Sequence, residues 1–434
     1  MLNVDKKLIQ REETGNVIEV GIVGAGQMGR GMISQMVLMQ GMRPSIVSDI
    51  HIENVINCFY SAGLKKEDIV VTNVLTEAHA AQKKGKYVAT EDWELVAKAG
   101  FVDCVVDATG VPDVGAKLAV MAMEHKKHVV MLNVETDVVI GPYLHQFAQK
   151  QGVIYTGSAG DEPGAVMELY SFAKAMGFEV KVIGKGKNNA LAFGCTPETV
   201  KEEAVRRKMS PRMLCAFKDG TKTMVELAAM CNATGFVPDV LGGHGISSDV
   251  MGLNEKFRLK EDGGVLNRHA VVDFVNGIAP GVFVTVSTES VDMAEQLTYL
   301  SMGDGPLFTF YRPYHLCSLE TPLSIAKAVI DKEPTIVPID GLVAECVTFA
   351  KRDLQAGETI DGIGGYTTYG LVSTAEEAVK QGYVPYGLIT DKAKMRRPVK
   401  KDSPICMEDI ILDTSTQIYK LRKEQDAMYG LLET

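Results

Sequence analysis

A glycine-rich segment near the start of the chain has the spacing that binds a dinucleotide. Gly24, Gly26 and Gly29 form the pattern G-x-G-x-x-G in GAGQMG, directly after the apolar run IEVGIV. The first glycine permits a tight turn, the second lets a pyrophosphate approach the backbone, and the third lets helix and strand pack closely. Asp49 follows about 20 positions later, where a carboxylate accepts hydrogen bonds from the adenosine ribose. We therefore predict a site for NAD or NADP.

The type of nicotinamide cofactor is suggested by Asp49. A carboxylate repels the 2′-phosphate of NADP, so this residue favours NAD. The small residues of Ala108-Thr109-Gly110 end another predicted strand, and such a loop either passes beside the nicotinamide ribose or is a plain turn. The residues that we predict to contact the cofactor are Gly24, Ala25, Gly26, Gln27, Met28, Gly29, Asp49, Ala108, Thr109, Gly110 and Asn133.

Three polar segments further along are candidates for binding a substrate. GKGKNN combines cationic, carboxamide and glycine residues, which suits a phosphate or carboxylate, although an exposed turn is the alternative. Asp161 and Glu162 either cap a helix or bind substrate hydroxyls. His244, in a flexible glycine loop, either protonates a substrate or covers a cleft. The predicted substrate-binding residues are Glu135, Asp161, Lys185, Lys187, Asn188 and Asn189.

These candidates must be positioned by alternating strands and helices. Over residues 1–155, apolar runs such as IEVGIV and VDCVVDATG alternate with helical periods, which predicts a Rossmann domain with a doubly wound parallel sheet. We predict an α+β catalytic and dimerisation domain at 156–336 and a small β-rich domain at 337–434. The last helical stretch of the middle segment, SLETPLSIAKAVIDKEP, is expected to pack back on the first domain.

Composition and charge argue against a nucleic-acid-binding protein and against a membrane protein. The 434-residue chain is 46% hydrophobic and carries a net charge of −10, which argues against a nucleic-acid partner. Its apolar runs are too short for a membrane helix, and its start does not resemble a signal peptide. We therefore expect a cytoplasmic homo-oligomer with a small-molecule substrate. The eight cysteines form no C-x-x-C pair, so no metal site is predicted.

Longer blocks of the sequence resemble the homoserine dehydrogenase-like superfamily. They include MLNVETDVVIGPYL, GSAGDEPGAVMELY, SPRMLCAFKDGTKTMVELAAMCNATGF and AKRDLQAGETIDGIGGYTTYG. They are more similar to a branch with an added C-terminal domain, which includes deoxyxylulose-phosphate reductoisomerase-like enzymes, and this resemblance implies NADPH where Asp49 favours NAD. The end of the chain resembles SAF domains. Val134 stands where homoserine dehydrogenases usually carry a lysine, so a simple homoserine dehydrogenase is not favoured.

The resemblance also points to proton-transfer residues. In homoserine dehydrogenases an acid and a lysine of one helix face the substrate, which implies this role for Asp219 and Lys222. Lys222 would exchange a proton with the substrate oxygen as a hydride moves at carbon. The predicted catalytic residues are Lys222, Asp219, Glu162 and His244.

The resulting functional hypothesis is an oxidoreductase that acts on a CH–OH or carbonyl group. Its substrate would be small, polyhydroxylated and phosphorylated, as in a reductoisomerase of isoprenoid precursor synthesis. The alternatives are a sugar-acid dehydrogenase or oxidoisomerase, a homoserine dehydrogenase-type enzyme, and a sensor or scaffold that binds NAD(P) without turnover.

Overall fold

A computed structural model describes residues 3–431 of the chain. By packing, the chain divides into two compact units. Unit 1 consists of the residues up to Gly164 together with Leu316–Val337, and unit 2 consists of Ala165–His315 together with the residues from Pro338 onward. This division differs from the three predicted segments, and whether those segments act as separate functional domains stays a prediction.

Unit 1 is built on a parallel sheet of seven strands. These are β1 (Ile18–Val23), β2 (Met42–Ser48), β3 (Ile69–Val71), β4 (Tyr87–Thr90), β5 (Cys104–Asp107), β6 (His128–Met131) and β7 (Tyr155–Gly157). Their order is β3-β4-β2-β1-β5-β6-β7, and every pairing is parallel. The strand order reverses between β1 and β5, and the crevice at the carboxyl ends of such strands is where these sheets bind ligands.

Helices alternate with the strands of this sheet. They are α1 (Val4–Glu13), α2 (Gln27–Leu38), α3 (Ile52–Ser61), α4 (Leu75–Lys83), α5 (Trp93–Lys98), α6 (Pro112–Glu124) and α7 (Val134–Gln151). Apolar residues of β1 and α2, such as Ile22 and Met32, share one buried core. The strands are buried almost throughout, as expected when both faces of a parallel sheet are covered. The predicted doubly wound Rossmann sheet is confirmed.

The first part of unit 2 has a mixed sheet of five strands. Its elements begin with α8 (Glu162–Ala175), which starts in unit 1, and continue with β8 (Glu179–Lys187), α9 (Lys201–Arg206), α10 (Pro211–Lys218), α11 (Thr221–Thr234), β9 (Ile246–Ser247), α12 (Leu253–Lys256), β10 (Val271–Asn276), β11 (Val282–Ser287), α13 (Val291–Tyr299) and β12 (Phe308–Arg312). The order is β12-β11-β8-β10-β9. β8, β9 and β10 run parallel, so the carboxyl ends of β8 and β10 lie at the same edge.

The chain then returns to unit 1 through Leu316–Val337. This stretch contains α14 (Thr321–Ala326) and a π-helical turn at Lys327–Asp331. The Gly157 N–H donates to the Ile336 carbonyl at 2.9 Å, which continues the edge of the sheet beyond β7. The prediction that this stretch packs on the first domain is confirmed.

The last part of the chain belongs to unit 2 and is rich in short strands. It contains β13 (Ala344–Ala350), β14 (Thr368–Thr374), α15 (Ala375–Lys380), β15 (Lys394–Met395), β16 (Ile410–Ile411) and α16 (Gln417–Met428). The strands form two antiparallel pairs, β13-β14 and β15-β16, and β13 and β14 pack on α11. Within residues 3–431, no helix is long and apolar enough to span a bilayer.

Candidate functional site

The glycine loop follows β1 and leads into α2. Gly24 has a φ of 105°, and a Cβ atom there would lie 2.6 Å from the Ala108 carbonyl oxygen. A Cβ atom on Gly29 would lie 2.0 Å from the Gly24 carbonyl oxygen. Both positions therefore require glycine for the fold itself, through a left-handed turn and a close approach of helix to strand.

Gly26 differs from the other two glycines of the motif, Gly24 and Gly29. Its φ of −70° is one that any residue adopts, and a Cβ atom there would meet no atom within 4 Å. It occupies the N-cap of α2, where free N–H groups and the helix dipole attract a phosphate. The open space above Gly26 fits the pyrophosphate of a dinucleotide. The predicted contacts Gln27 and Met28 are exposed beside it, whereas Ala25 is buried.

Asp49 joins this loop to the end of β2. Its Oδ2 accepts a hydrogen bond from the Ala25 N–H at 2.8 Å, and its Oδ1 accepts from the His51 N–H and from Asn54 Nδ2, both at 3.0 Å. A carboxylate has about four lone-pair sites. Three of them are used by these donors within residues 3–431, and the role of Asp49 in binding a ribose stays a prediction.

The loop after β5 is held by a carboxylate that the sequence analysis missed. Asp107 is fully buried; its Oδ1 accepts from the Thr109 N–H at 2.9 Å and the Thr109 hydroxyl at 2.7 Å, and its Oδ2 accepts from Asn133 Nδ2 at 3.0 Å. Burial raises the pKa of Asp107, and these hydrogen bonds oppose that shift. An acid that ends an apolar strand was the signal available in the sequence. Ala108 and Thr109 are half-buried here, and Gly110 is exposed with a φ of 65°.

Other predicted residues of unit 1 lie at helix starts. Glu135 is buried in the first turn of α7, which is capped by Asn133. Asp161 is buried directly before α8, and Glu162 is the first residue of that helix. The roles predicted for these acids stay predictions.

The first four residues of GKGKNN form a buried strand end, and not the exposed turn given as the alternative. Residues up to Lys187 belong to β8, and both Lys185 and Lys187 are buried. Gly184 allows close approach of the neighbouring strand, because a Cβ atom there would lie 2.0 Å from the Asp273 carbonyl oxygen. Lys185 forms a buried ion pair with Glu226 of α11, and Lys187 Nζ donates to the Phe217 carbonyl at 2.7 Å.

A cavity of about 560 Å³ opens where β8 and β10 end in unit 2. Its lining consists of Lys187, Asn188, Ala190, Leu191, Ser247, Asn276, Gly277 and Ala279. The predicted residues Lys187 and Asn188 therefore meet here, and Asn189 adjoins them, since its Nδ2 donates to Asn188 Oδ1 at 3.0 Å. Lys185 is not among the lining residues. Ser247 and Asn276 were missed, because only the register of β9 on β10 brings them to this edge.

Asp219 and Lys222 flank the start of α11. Asp219 is fully buried, its Oδ2 lies 2.8 Å from Lys351 Nζ, and its Oδ1 accepts from the Thr221 N–H at 2.9 Å. Lys351, which follows β13, was missed. Lys222 is half-buried in the first turn of α11. Its catalytic role, and assistance from Asp219, stay predictions.

His244 lies in a loop that precedes β9. The His244 and Gly245 N–H groups donate to the buried Asp273 carboxylate at 3.0 and 3.1 Å, which ties the loop to β10, and the predicted flexibility of the loop stays a prediction. The imidazole Nε2 lies 2.7 Å from Asp239 Oδ2. A histidine with a carboxylate partner is able to accept and return a proton.

Comparison with known proteins supports a redox function for the chain. Residues 160–321 match the family model described as "Oxidoreductase DRL, catalytic domain". No curated protein matches the chain. Together with the Rossmann sheet and its glycine loop, the matched catalytic domain makes this protein an NAD(P)-dependent oxidoreductase.

Several solved structures are distantly similar. A probable dehydrogenase from Thermotoga maritima is 16% identical, with a TM-score of 0.40, over 73% of this chain and 90% of its own. Scyllo-inositol dehydrogenase from Lactobacillus casei is 12% identical, with a TM-score of 0.38, over 68% and 76%. GenD2 from gentamicin A biosynthesis is 14% identical, with a TM-score of 0.38, over 75% and 90%. Likeness at this level carries no argument about substrate.

Proposed function

We propose that this protein uses NAD, in preference to NADP, to oxidise or reduce a carbon of a small, polyhydroxylated and phosphorylated substrate. The observation that carries the proposal is Gly26, where neither the backbone angle nor any neighbouring atom requires glycine. A bound pyrophosphate explains the missing side chain, since it must approach this backbone closely. Asp49 supports NAD, because a 2′-phosphate would face its carboxylate.

The nicotinamide ring, when bound, donates or accepts the hydride. Gly26 and the N-terminus of α2 bind the pyrophosphate, and Asp49 holds the adenosine ribose. Lys222 holds and transfers the proton of the substrate oxygen. An ammonium group there stabilises the negative charge that develops on oxygen during hydride transfer.

The cavity at the ends of β8 and β10 supports a sugar-like substrate. Its lining residues include Lys187, Asn188, Ser247 and Asn276, whose side chains carry ammonium, carboxamide and hydroxyl groups. Carboxamides donate to and accept from hydroxyl groups, and an ammonium binds a phosphate. A deoxyxylulose-phosphate reductoisomerase-like reaction is our first candidate, and a sugar-acid dehydrogenase or oxidoisomerase is the second.

A panel of substrates tests this proposal. Phosphorylated ketoses, inositols, sugar acids and homoserine are each mixed with NAD, NADH, NADP or NADPH, and absorbance at the reduced-nicotinamide band is followed. We expect turnover with a phosphorylated or polyhydroxylated compound and NAD(H). If homoserine were the only compound turned over, the proposed substrate would be contradicted. If turnover occurred only with NADP(H), the proposed cofactor would be contradicted.

A further inference from the structure

The loop that carries His244 is shaped by three glycines. Gly242, Gly243 and Gly245 have φ angles of 77°, 74° and 59°. A Cβ atom on Gly243 would lie 2.9 Å from Asp273 Oδ1, and one on Gly245 would lie 2.4 Å from the ring of Phe274. His244 is thus the one residue of the stretch 242–245 that has a side chain. The three glycines around it are required by the conformation of the loop.

Polar groups of β10 hold this loop in place. Asp273 accepts the two loop N–H groups on different carboxylate oxygens, and it also accepts from the Phe274 N–H at 2.7 Å. Asn276 Nδ2 donates to the Gly245 carbonyl at 2.9 Å. Burial raises the pKa of Asp273, and the backbone hydrogen bonds and His244 oppose that shift. These hydrogen bonds therefore fix the backbone from which the His244 side chain projects.

The imidazole is in turn oriented by Asp239. The side chain of Asp239 is 1% exposed, and its Oδ2 accepts from the Asn267 N–H at 2.9 Å and from Asn267 Nδ2 at 3.0 Å, besides facing His244 Nε2. Lys260 Nζ donates to Asn267 Oδ1 at 2.7 Å, which places a cation behind the amide. Because Oδ2 accepts from both N–H groups of Asn267, we infer that it also accepts from His244, with the proton on Nε2. In the neutral ring, Nδ1 is then the basic nitrogen.

The loop that carries His244 leads towards the cavity described above. The loop continues directly into β9, whose Ser247 lines the cavity, and Asn276, which holds Gly245, lines it too. The side chain of His244 is 15% exposed. The ionisable groups that meet this loop and ring are Asp239, directly, and Asp273, through the loop backbone.

We propose that His244 and Asp239 form an acid–base pair for the substrate bound in unit 2, with His244 as a catalytic residue and Asp239 as its positioning residue. The proposal rests on the proposed function. A substrate O–H bond breaks, its proton passes to Nδ1 and its electron pair stays on the oxygen. The imidazolium, stabilised by Asp239, then returns the proton to another oxygen of the rearranged substrate. A reaction that moves a carbonyl group requires this proton transfer in addition to the one that accompanies hydride transfer, which is assigned to Lys222.

The first test is the protonation state of the ring, which needs no substrate. In nitrogen-15 spectra of the whole protein, His244 is expected as the Nε2–H tautomer. Asp239→Asn is expected to change the tautomer population, whereas Asp249→Asn, which removes an exposed carboxylate bound to the Gly252 N–H, leaves it unchanged. A wild-type ring protonated on Nδ1, or a ring indifferent to Asp239→Asn, overturns the positioning role.

The second test is turnover of the compound found in the substrate panel. His244→Ala is expected to lower kcat by about 100-fold, the size of a lost acid–base group. Free imidazole should restore part of that loss, which it would not do for a purely structural residue. Unchanged kcat, or an unchanged pH profile, overturns the catalytic role. Cofactor binding is measured on the same samples. If the wild type binds no cofactor, the proposed function is contradicted, whereas the tautomer of His244 found in the first test is not affected.

Discussion

Lys351 Nζ lies 2.8 Å from Asp219 Oδ2, and the two side chains are 1% and 0% exposed. The same ammonium donates to the carbonyls of Cys195 and Gly365, both at 2.7 Å. This ion pair joins the residue after β13 to the end of α10. The β-rich last part of the chain is therefore built into the core of unit 2, and the acid that the resemblance assigned to catalysis has a buried cation of its own.

Lys351→Met tests this ion pair. The change leaves Asp219 buried without its cation, so we expect a loss of about 3–5 kcal/mol in the free energy of unfolding, measured in urea. Lys117→Met is the control, because Lys117 pairs with Asp113 at the surface of α6 and its loss should be hardly measurable. Equal stability of the two variants would contradict the structural role of Lys351.

Asp49→Asn tests the preference for NAD. Without the negative charge, a 2′-phosphate is tolerated better, and we expect the ratio of NADPH to NADH affinity to rise about 10-fold. The amide oxygen is able to accept from the Ala25 N–H, but the amide nitrogen does not accept from His51 and Asn54, so the melting temperature of the variant is measured as well. Fluorescence titration with both reduced cofactors measures the ratio, and Asn54→Ala controls for the hydrogen bond to Asp49. A wild type that prefers NADPH would refute the NAD assignment.

The two lysines proposed to act on substrate should have different kinetic signatures. Lys222→Ala is expected to lower kcat by about 100-fold, since proton transfer and charge stabilisation are lost. Lys187→Met, which keeps the length of the side chain, is expected to raise KM mainly, because a group that binds substrate and transition state equally contributes uniform binding. Steady-state kinetics on both variants distinguish these roles. Near-normal turnover of Lys222→Ala would remove it from the chemistry.

Unit 1 should lose stability in mild acid through His128. Burial, together with the nearby Lys332, lowers the pKa of His128 to about 4. The unfolded chain, with a pKa of about 6.5, binds the proton first, so stability is complete above that pH and is lost as the pH falls towards 4. Between pH 7.5 and 5 this group should cost about 2 kcal/mol.

The matched variant for this measurement is His128→Gln. Its side chain is able to accept from the Ile154 N–H, as His128 Nδ1 does at 2.9 Å, but it does not titrate. Urea unfolding of both proteins at the two pH values isolates the contribution of the histidine. Parallel pH dependence in the two proteins would show that His128 is not the group responsible.

The contrast between Gly24 and Lys351 shows what the sequence was able to predict. Gly24, its strand and its helix are neighbours in the chain, so local spacing specified the loop that they form. The contact of Lys351 with Asp219 joins distant residues, and it depends on how β13 packs against α11, which no local pattern encodes. For GKGKNN an anion site and an exposed turn both stayed open for a related reason: Gly184 allows a neighbouring strand to approach, a need that looks the same in sequence as a turn.

The central claim, a nicotinamide cofactor on the glycine loop, is tested most directly by calorimetric titration of NADH into the wild type and Gly26→Ala. A Cβ atom at Gly26 meets nothing in the protein itself, so the variant should keep the wild-type melting temperature. It should bind NADH at least about 100-fold more weakly, because the pyrophosphate loses its close contact with the backbone. No binding of NADH or NADPH to the wild type, or equal binding to the variant, would contradict the account.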